Sequence, residues 1–247
     1  IKDKEKVNVR FAFCFPDTYE IGMSHLGMKI LYSLFNSKED IWCERVFAPW
    51  VDFEKVLREN DIPLFALESR DPISDFDFVG FTLQYELSYT NVLNMLDLGK
   101  IPLLSKERND WSTPIVVAGG PCACNPEPLA DFIDIFFLGE GEEVDLELIE
   151  LYKHLKKQGK TRLEFLKEAS KIEGVYVPSL YDVAYNDDLT IKYVTPKEDA
   201  PKTIRKRIIH DLNTVYYPEN FVVPYIDIVH DRAVQEVFRG CIRGCRF

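Results

Sequence analysis

The residues of this chain whose spacing holds the most chemistry are its last nine, Arg239-Gly240-Cys241-Ile242-Arg243-Gly244-Cys245-Arg246-Phe247. Cys241 and Cys245 form C-x-x-x-C, and the chain stops where a third cysteine would complete C-x-x-x-C-x-x-C. Three thiolates at that spacing can hold three irons of an iron–sulfur cube and leave the fourth iron open to another ligand. Gly240 and Gly244 would let the backbone curl closely round such a cluster. Taken alone, the pair has two other readings: half of a zinc site, or two thiols without metal. Zinc needs further Cys or His, and only His210 and His230 are close in sequence. The first residue is Ile1 and not Met, so both ends are expected to be cut from a longer protein.

A second set of residues sits where apolar runs end. After the first run comes Asp17-Thr18-Tyr19-Glu20-Ile21-Gly22, then Ser24-His25-Leu26-Gly27. The later runs exit into Thr82-Leu83-Gln84-Tyr85-Glu86, into Gly119-Gly120-Pro121-Cys122-Ala123-Cys124-Asn125-Pro126, and into Gly139-Glu140-Gly141-Glu142. Glycines there let a ligand approach backbone N–H groups and a helix N-terminus. Asp17, Tyr19, Gly22, Thr82, Gly119, Gly120 and Glu140 are therefore expected to line one edge of a sheet as a cofactor pocket. Glu140 and Glu142 read equally as acid–base groups or as acids favoured at a helix start. Cys122 and Cys124 have poor spacing for a tetrahedral site and read as loop or buried thiols. His154 reads as a surface residue. The Lys202–Arg207 strip could meet RNA, but a solvated linker face is the favoured reading.

The elements that must position these residues alternate in the manner of repeated βα units. Strands are expected at 7–15, 41–48, 76–83, 114–118 and 133–138. Helices are expected at 23–35, 51–60, 89–98 and 143–157, with 16–22 as a loop. Five short strands with helical crossovers predict an α/β, flavodoxin-like, doubly wound parallel sheet in the order 2-1-3-4-5. Right-handed crossovers place the strand-exit loops on one edge. Beyond it, a helix is expected at 161–170, and a hairpin from 175–184 and 191–194 turned at Asn186-Asp187-Asp188. Prolines 196, 201, 218 and 224 punctuate a connector. Ile226–His230 and Ala233–Phe238 read as extended segments leading into the cysteine loop. Three regions follow: 1–157, 158–228 and 229–247.

The cysteine loop resembles the cluster loop of the radical S-adenosylmethionine (radical SAM) enzymes, in which an aromatic residue commonly precedes the third cysteine, as Phe247 would here. The strand exits of 7–157 resemble the cobalamin-binding-like domain that precedes the barrel in one branch of those enzymes. The two halves come in the order of that branch, with the connector uncovered. The resemblance implies a [4Fe–4S] cluster held by Cys241, Cys245 and a third cysteine, S-adenosylmethionine on the open iron, and reductive cleavage to a 5′-deoxyadenosyl radical. It also implies that 229–247 starts a partial barrel with its first strand, and that an electron donor such as flavodoxin or ferredoxin serves the parent enzyme. The substrate (RNA, lipid or small molecule) is not readable, and the fragment alone is expected to be inactive. Cobalt-ligating domains use D-x-H-x-x-G after the first strand, whereas this chain has Asp17-x-Tyr19-x-x-Gly22. Either cobalamin binds without a protein histidine, as the resemblance permits, or the domain keeps only the fold. The alternative is a non-catalytic cobalamin-like binding or docking module.

Composition narrows these classes. The 247 residues are 46% hydrophobic and 13% aromatic, ample for a core and contrary to disorder. A net charge of −11 argues against a general nucleic-acid coat. No apolar run approaches the roughly 18 residues of a membrane span. Six cysteines without a disulfide rhythm suggest a reducing cytoplasm.

Overall fold

Continuous apolar runs such as Val9–Phe15 (VRFAFCF) can be satisfied only where a strand is covered on both faces. The computed structural model, which describes residues 1–197, 200–230 and 232–246, builds its main sheet from such runs. The strands are β1 (Val9–Phe15), β2 (Ile41–Phe47), β3 (Phe78–Thr82), β4 (Ile115–Gly119), β5 (Ile135–Phe137) and β6 (Val175–Tyr176). Their order is β2-β1-β3-β4-β5-β6. The first five are parallel, in the doubly wound order that the alternation predicts. A sixth strand, β6, adds an antiparallel edge against β5 and comes from residues past 157.

Among the described residues, six α-helices accompany the sheet: α1 (Tyr19–Gly22), α2 (Leu26–Asn36), α3 (Val51–Glu59), α4 (Tyr89–Leu98), α5 (Gly141–Lys157) and α6 (Arg162–Ala169). Helix α2 does not run back to Met23. The His25 ring Nδ1 accepts from the Met28 N–H at 3.1 Å, which caps the helix and starts it at Leu26. Met28, Ile30, Leu34 and Phe35 then face the core. Helix α5 buries Val144, Leu148, Ile149 and Tyr152, the 3.6-residue stripe of a core-facing helix.

Charges are buried where they tie strands together. In β2, the Glu44 carboxylate accepts from Arg10 at 2.6 Å, and the Arg45 guanidinium donates to Glu68 at 2.7 Å. Asp134 precedes β5 and accepts from Val116 N–H at 2.7 Å, from Arg162 at 2.8 Å and from Arg108 at 3.2 Å. Arg162 donates also to the carbonyls of Thr113 and Pro114. This network fastens the entries of β4 and β5, and β5 starts just after Asp134.

Further expectations are corrected. Residues 16–22 are not a loop throughout, because Tyr19–Gly22 form the single turn α1. The run 175–184 is not one hairpin strand: a turn at Pro178–Leu180 breaks it. Its first part pairs with β5, and its second, β7 (Tyr181–Tyr185), pairs with β8 (Ile191–Pro196). The segments read as extended before the cysteines form no strand among the described residues. Their backbone makes single hydrogen bonds instead of a ladder: Val229 N–H donates to the Glu20 carbonyl at 3.4 Å and His230 N–H to the Ser24 hydroxyl at 3.1 Å.

Candidate functional site

The strands of a parallel sheet deliver their loops to one edge, and a cavity of about 430 Å³ opens there beneath α2 and α5. The register explains the hollow. Phe13 pairs with Gly80, Gly80 with Val117, and Thr82 with Gly119, so these residues share one face. At Gly80 a Cβ would overlap the Phe11 ring, which packs over that residue. At the mouth, Gly139 has φ +119°, and a Cβ there would strike the backbone of Arg207. That close approach lets Arg207 N–H donate to the Leu138 carbonyl at 2.8 Å, while Glu140 N–H donates to the Arg207 carbonyl at 3.1 Å. The connector is thereby pinned along the exit of β5.

The polar end of the cavity belongs to the start of α5 and to the C-terminal segment. Glu140, Glu142 and Asp145 meet Glu236 and Arg239 there. The Arg239 guanidinium donates to Glu142, and to both Glu236 oxygens at 2.8 Å, and lies 3.6 Å from Glu140. Glu140 also accepts from the Ile209 N–H. The two glutamates read from the sequence are therefore engaged in ion pairs or hydrogen bonds, and Glu142 stands in the first turn of α5.

Asp145 is unlike them. It is buried, and its Oδ1 finds no hydrogen-bond partner among the described residues. Burial, and then the neighbouring Glu142 charge, push its carboxyl well above the usual carboxylate range. His25 borders the same cavity; burial lowers its pKa against an opposing hydrogen bond with Gln84. The neutral ring keeps Nδ1 free to accept at the start of α2.

The expected pocket residues divide. Thr82, Gly119, Gly120 and Glu140 line this cavity. Asp17 lines a neighbouring hollow that shares His25, Thr82 and Gln84 with it, and accepts there from the Tyr85 hydroxyl at 3.2 Å. Tyr19 is turned elsewhere. Its ring stands against Phe47, its hydroxyl accepts from Tyr225 N–H at 2.7 Å, and it lines a third hollow with Trp50 and Phe53. Gly22 lines none of these hollows, being packed between the Phe15 and Phe47 rings.

Cys241 and Cys245 are exposed, and the Cys241 sulfur accepts from Arg243 N–H at 3.4 Å. Phe247 lies outside the described residues. No group of three or more His, Cys, Asp or Glu that could hold a metal ion occurs among the described residues. Cys122 is half-buried and Cys124 exposed. In the basic strip Lys202, Arg205 and Lys206 face solvent, whereas Arg207 pairs with Glu143 and Glu147. His154 is exposed.

Asp145, Gly80, Glu236 and Arg239 were not legible as site residues. Asp145 carried a usable signal: it shares the stripe of Leu148, Ile149 and Tyr152, and a carboxylate on an apolar stripe requires an explanation. Arg239 carried none, because only the fold brings it to α5.

An uncharacterized protein of Methanocaldococcus jannaschii is 26% identical over 237 residues, which is 96% of this chain and 40% of that protein. The chain thus spans about 40% of the length of this curated relative. Among solved structures, the radical S-adenosylmethionine methyltransferase TsrM of Kitasatospora setae aligns with 73% of this chain and 29% of its own, at 14% identity and a TM-score of 0.41. The family described as radical SAM proteins, N-terminal, matches residues 27–178, more than half of the 247, and the chain belongs to that family.

Proposed function

We propose that this chain is the N-terminal part of an enzyme that reductively cleaves S-adenosylmethionine, with Cys241 and Cys245 as two of the three protein ligands of a [4Fe–4S] cluster. The observation that carries the reading is the C-x-x-x-C loop following, in one chain, a domain of the radical SAM N-terminal family. The donor set fits: two exposed thiols four residues apart, with open space around Gly240 and Gly244. The amide hydrogen bond to the Cys241 sulfur is of the kind that tunes such clusters. When bound, the cluster supplies the electron that breaks a carbon–sulfur bond of the cosubstrate, giving methionine and a 5′-deoxyadenosyl radical. This chain's own residues position the loop. Arg239, two residues before Cys241, is held by Glu142 and Glu236 against the mouth of the cavity.

A reduced flavodoxin or ferredoxin is the electron donor of this reading, the substrate is an RNA, a lipid or a small molecule, and the compartment is the cytoplasm. No helix among the described residues is long and apolar enough to cross a membrane. Cobalamin fits less well. Tyr19 stands where a cobalt-ligating histidine would, and its hydroxyl is engaged with Tyr225. The cofactor would have to bind without a protein imidazole, and no step is assigned to it.

The test is anaerobic reconstitution of the full-length parent with iron and sulfide, followed by incubation with S-adenosylmethionine and a reductant. About four irons per chain and accumulation of 5′-deoxyadenosine are expected. A parent that retains no iron, or that retains zinc alone, refutes the reading. Titration with hydroxocobalamin decides the cofactor separately, through the presence or absence of a spectral change.

A further inference from the structure

Outside the cavity, exposed apolar side chains gather at one place on the strand-exit edge. Trp50 is 66% exposed, Phe53 44%, Ile21 43% and Leu67 37%, and all four border one hollow of about 710 Å³ beside the start of α3. Scattered exposed apolar residues are ordinary, but four around a single concavity mark an interaction surface. We propose that this groove seats the polypeptide that follows residue 247 in the parent, and that the seated segment carries apolar side chains flanked by lysine or arginine. The inference rests on the reading of this chain as the N-terminal part of a longer protein, and not on the cluster.

Trp50 is the first argument. It stands at the N-cap of α3 and makes no capping hydrogen bond. Serine, aspartate or asparagine there would satisfy an orphan N–H of the helix, whereas an indole has no acceptor to offer it. The stability of the helix therefore does not account for this residue, and its ring lies outside the core. A large, rigid side chain held on a surface is the kind of anchor that carries binding energy at interfaces. Phe53, one turn on, stands edge-on to Phe65 with ring centroids 6.2 Å apart, so the floor beside Trp50 is already shaped.

Charge is the second. Glu20 and Asp52 are exposed on the rim, and neither forms an ion pair among the described residues. Asp52 accepts from the Phe53 N–H at 2.8 Å. Among the described residues no lysine, arginine or histidine lines the groove. An acidic rim round an apolar floor fits a segment with the opposite charge at its edges. The same rim disfavours a second copy seated groove to groove, which would bring like charges together.

Continuity is the third. The C-terminal segment already lies along this groove. Val229 lines it, Val229 N–H donates to the Glu20 carbonyl at 3.4 Å, and Tyr225 N–H donates to the Tyr19 hydroxyl at 2.7 Å. The segment then reaches the cavity mouth at Arg239, so polypeptide attached beyond it starts on the edge that carries the groove. This chain spans only 40% of its curated relative and belongs to an N-terminal family, which leaves ample sequence to fill it.

The experiment is hydroxyl-radical footprinting of the 247-residue chain and of the full-length parent after anaerobic reconstitution, read by mass spectrometry at each residue. Trp42, buried in β2, is the internal reference for a covered indole. Trp50 and Phe53 should be oxidised readily in the 247-residue chain and several-fold more slowly in the parent, with Trp50 approaching the rate of Trp42. In the parent, Glu20→Lys combined with Asp52→Lys should return Trp50 to fast oxidation. Trp50→Ser should leave the melting temperature of the 247-residue chain unchanged or raised, because serine caps the helix, and should lower that of the parent. Circular dichroism establishes that the variants are folded, and the two unaltered proteins decide the matter if they are not. Equal oxidation of Trp50 in those two proteins overturns the assignment, as does an equal loss of melting temperature in both with Trp50→Ser. Protection that persists in the double lysine variant overturns it too. So does protection of the 247-residue chain that grows with its concentration, which would seat a second copy in the groove. Iron counted in the same samples separates the two readings. A parent that covers Trp50 without holding iron refutes the cluster alone, and one that holds iron with Trp50 open refutes the groove alone.

Discussion

At the scale of single residues, burial and the Glu142 charge raise the Asp145 carboxyl well above the usual carboxylate range. Folding holds the Asp145 proton more tightly than the unfolded chain, in which the group ionises near its ordinary value of 3.8. Its contribution to stability is therefore full below that value and declines as pH rises toward the raised folded value. Asp145→Asn should remove the decline. In urea unfolding, the variant should be more stable than the parent chain at pH 7.5, with the gap closing as pH approaches 4. A gap that stays constant with pH would mean that Asp145 is ionised in the fold. Gly80 makes a second residue-scale case. Gly80→Ala drives a methyl into the Phe11 ring, and overpacking of that kind costs about 1–3 kcal/mol. The variant should unfold at lower urea than the parent chain. Neither residue could be picked from the sequence by type alone. Glycine in a strand and aspartate in a helix are common, and only the register and the stripe give them meaning.

Elements were far more legible than residues, for a physical reason. Apolar runs ending in glycine or charge, separated by 3.6-residue stripes, admit few arrangements, and the order of the five parallel strands follows from them. The sixth strand was hidden because Val175–Tyr176 is only two residues long, and its continuation past Pro178 disguised it as half of a hairpin. The late start of β5 was hidden as well, since Asp134 reads as a strand residue until Arg108 and Arg162 are seen beside it. That triad gives an element-scale prediction. Asp134→Ala leaves two buried guanidinium groups without their counter-charge and frees the Val116 N–H. Removal of one partner of a buried pair costs about 3–5 kcal/mol, and hydrogen exchange should rise first in β4 and β5. Exchange that rises first in β1 and β2 would place the weak point elsewhere.

Over the whole molecule, the link that matters joins the sheet to the cysteine segment. Arg239 is its fastening, since its guanidinium reaches Glu140, Glu142 and Glu236 at the cavity mouth. Arg239→Ala should raise hydrogen exchange over 232–246 while β1 and β3 keep their protection, because the segment adds no strand to the sheet. Unchanged exchange there would show that other contacts hold the segment. The candidate site was legible only in part at this scale. Thr82, Gly119, Gly120 and Glu140 meet at the cavity, Asp17 lies next to it, and Tyr19 and Gly22 are elsewhere. A strand-exit position fixes the edge of a sheet on which a residue sits, but not which way its side chain turns. The central claim concerns the cysteines, and one measurement meets it directly. The full-length parent and its Cys245→Ala variant are reconstituted anaerobically, and iron and 5′-deoxyadenosine are counted in each. The parent should hold about four irons per chain and form 5′-deoxyadenosine, and the variant should lose both. Full iron loading and undiminished 5′-deoxyadenosine in the Cys245→Ala variant would contradict the assignment of this loop as the cluster site.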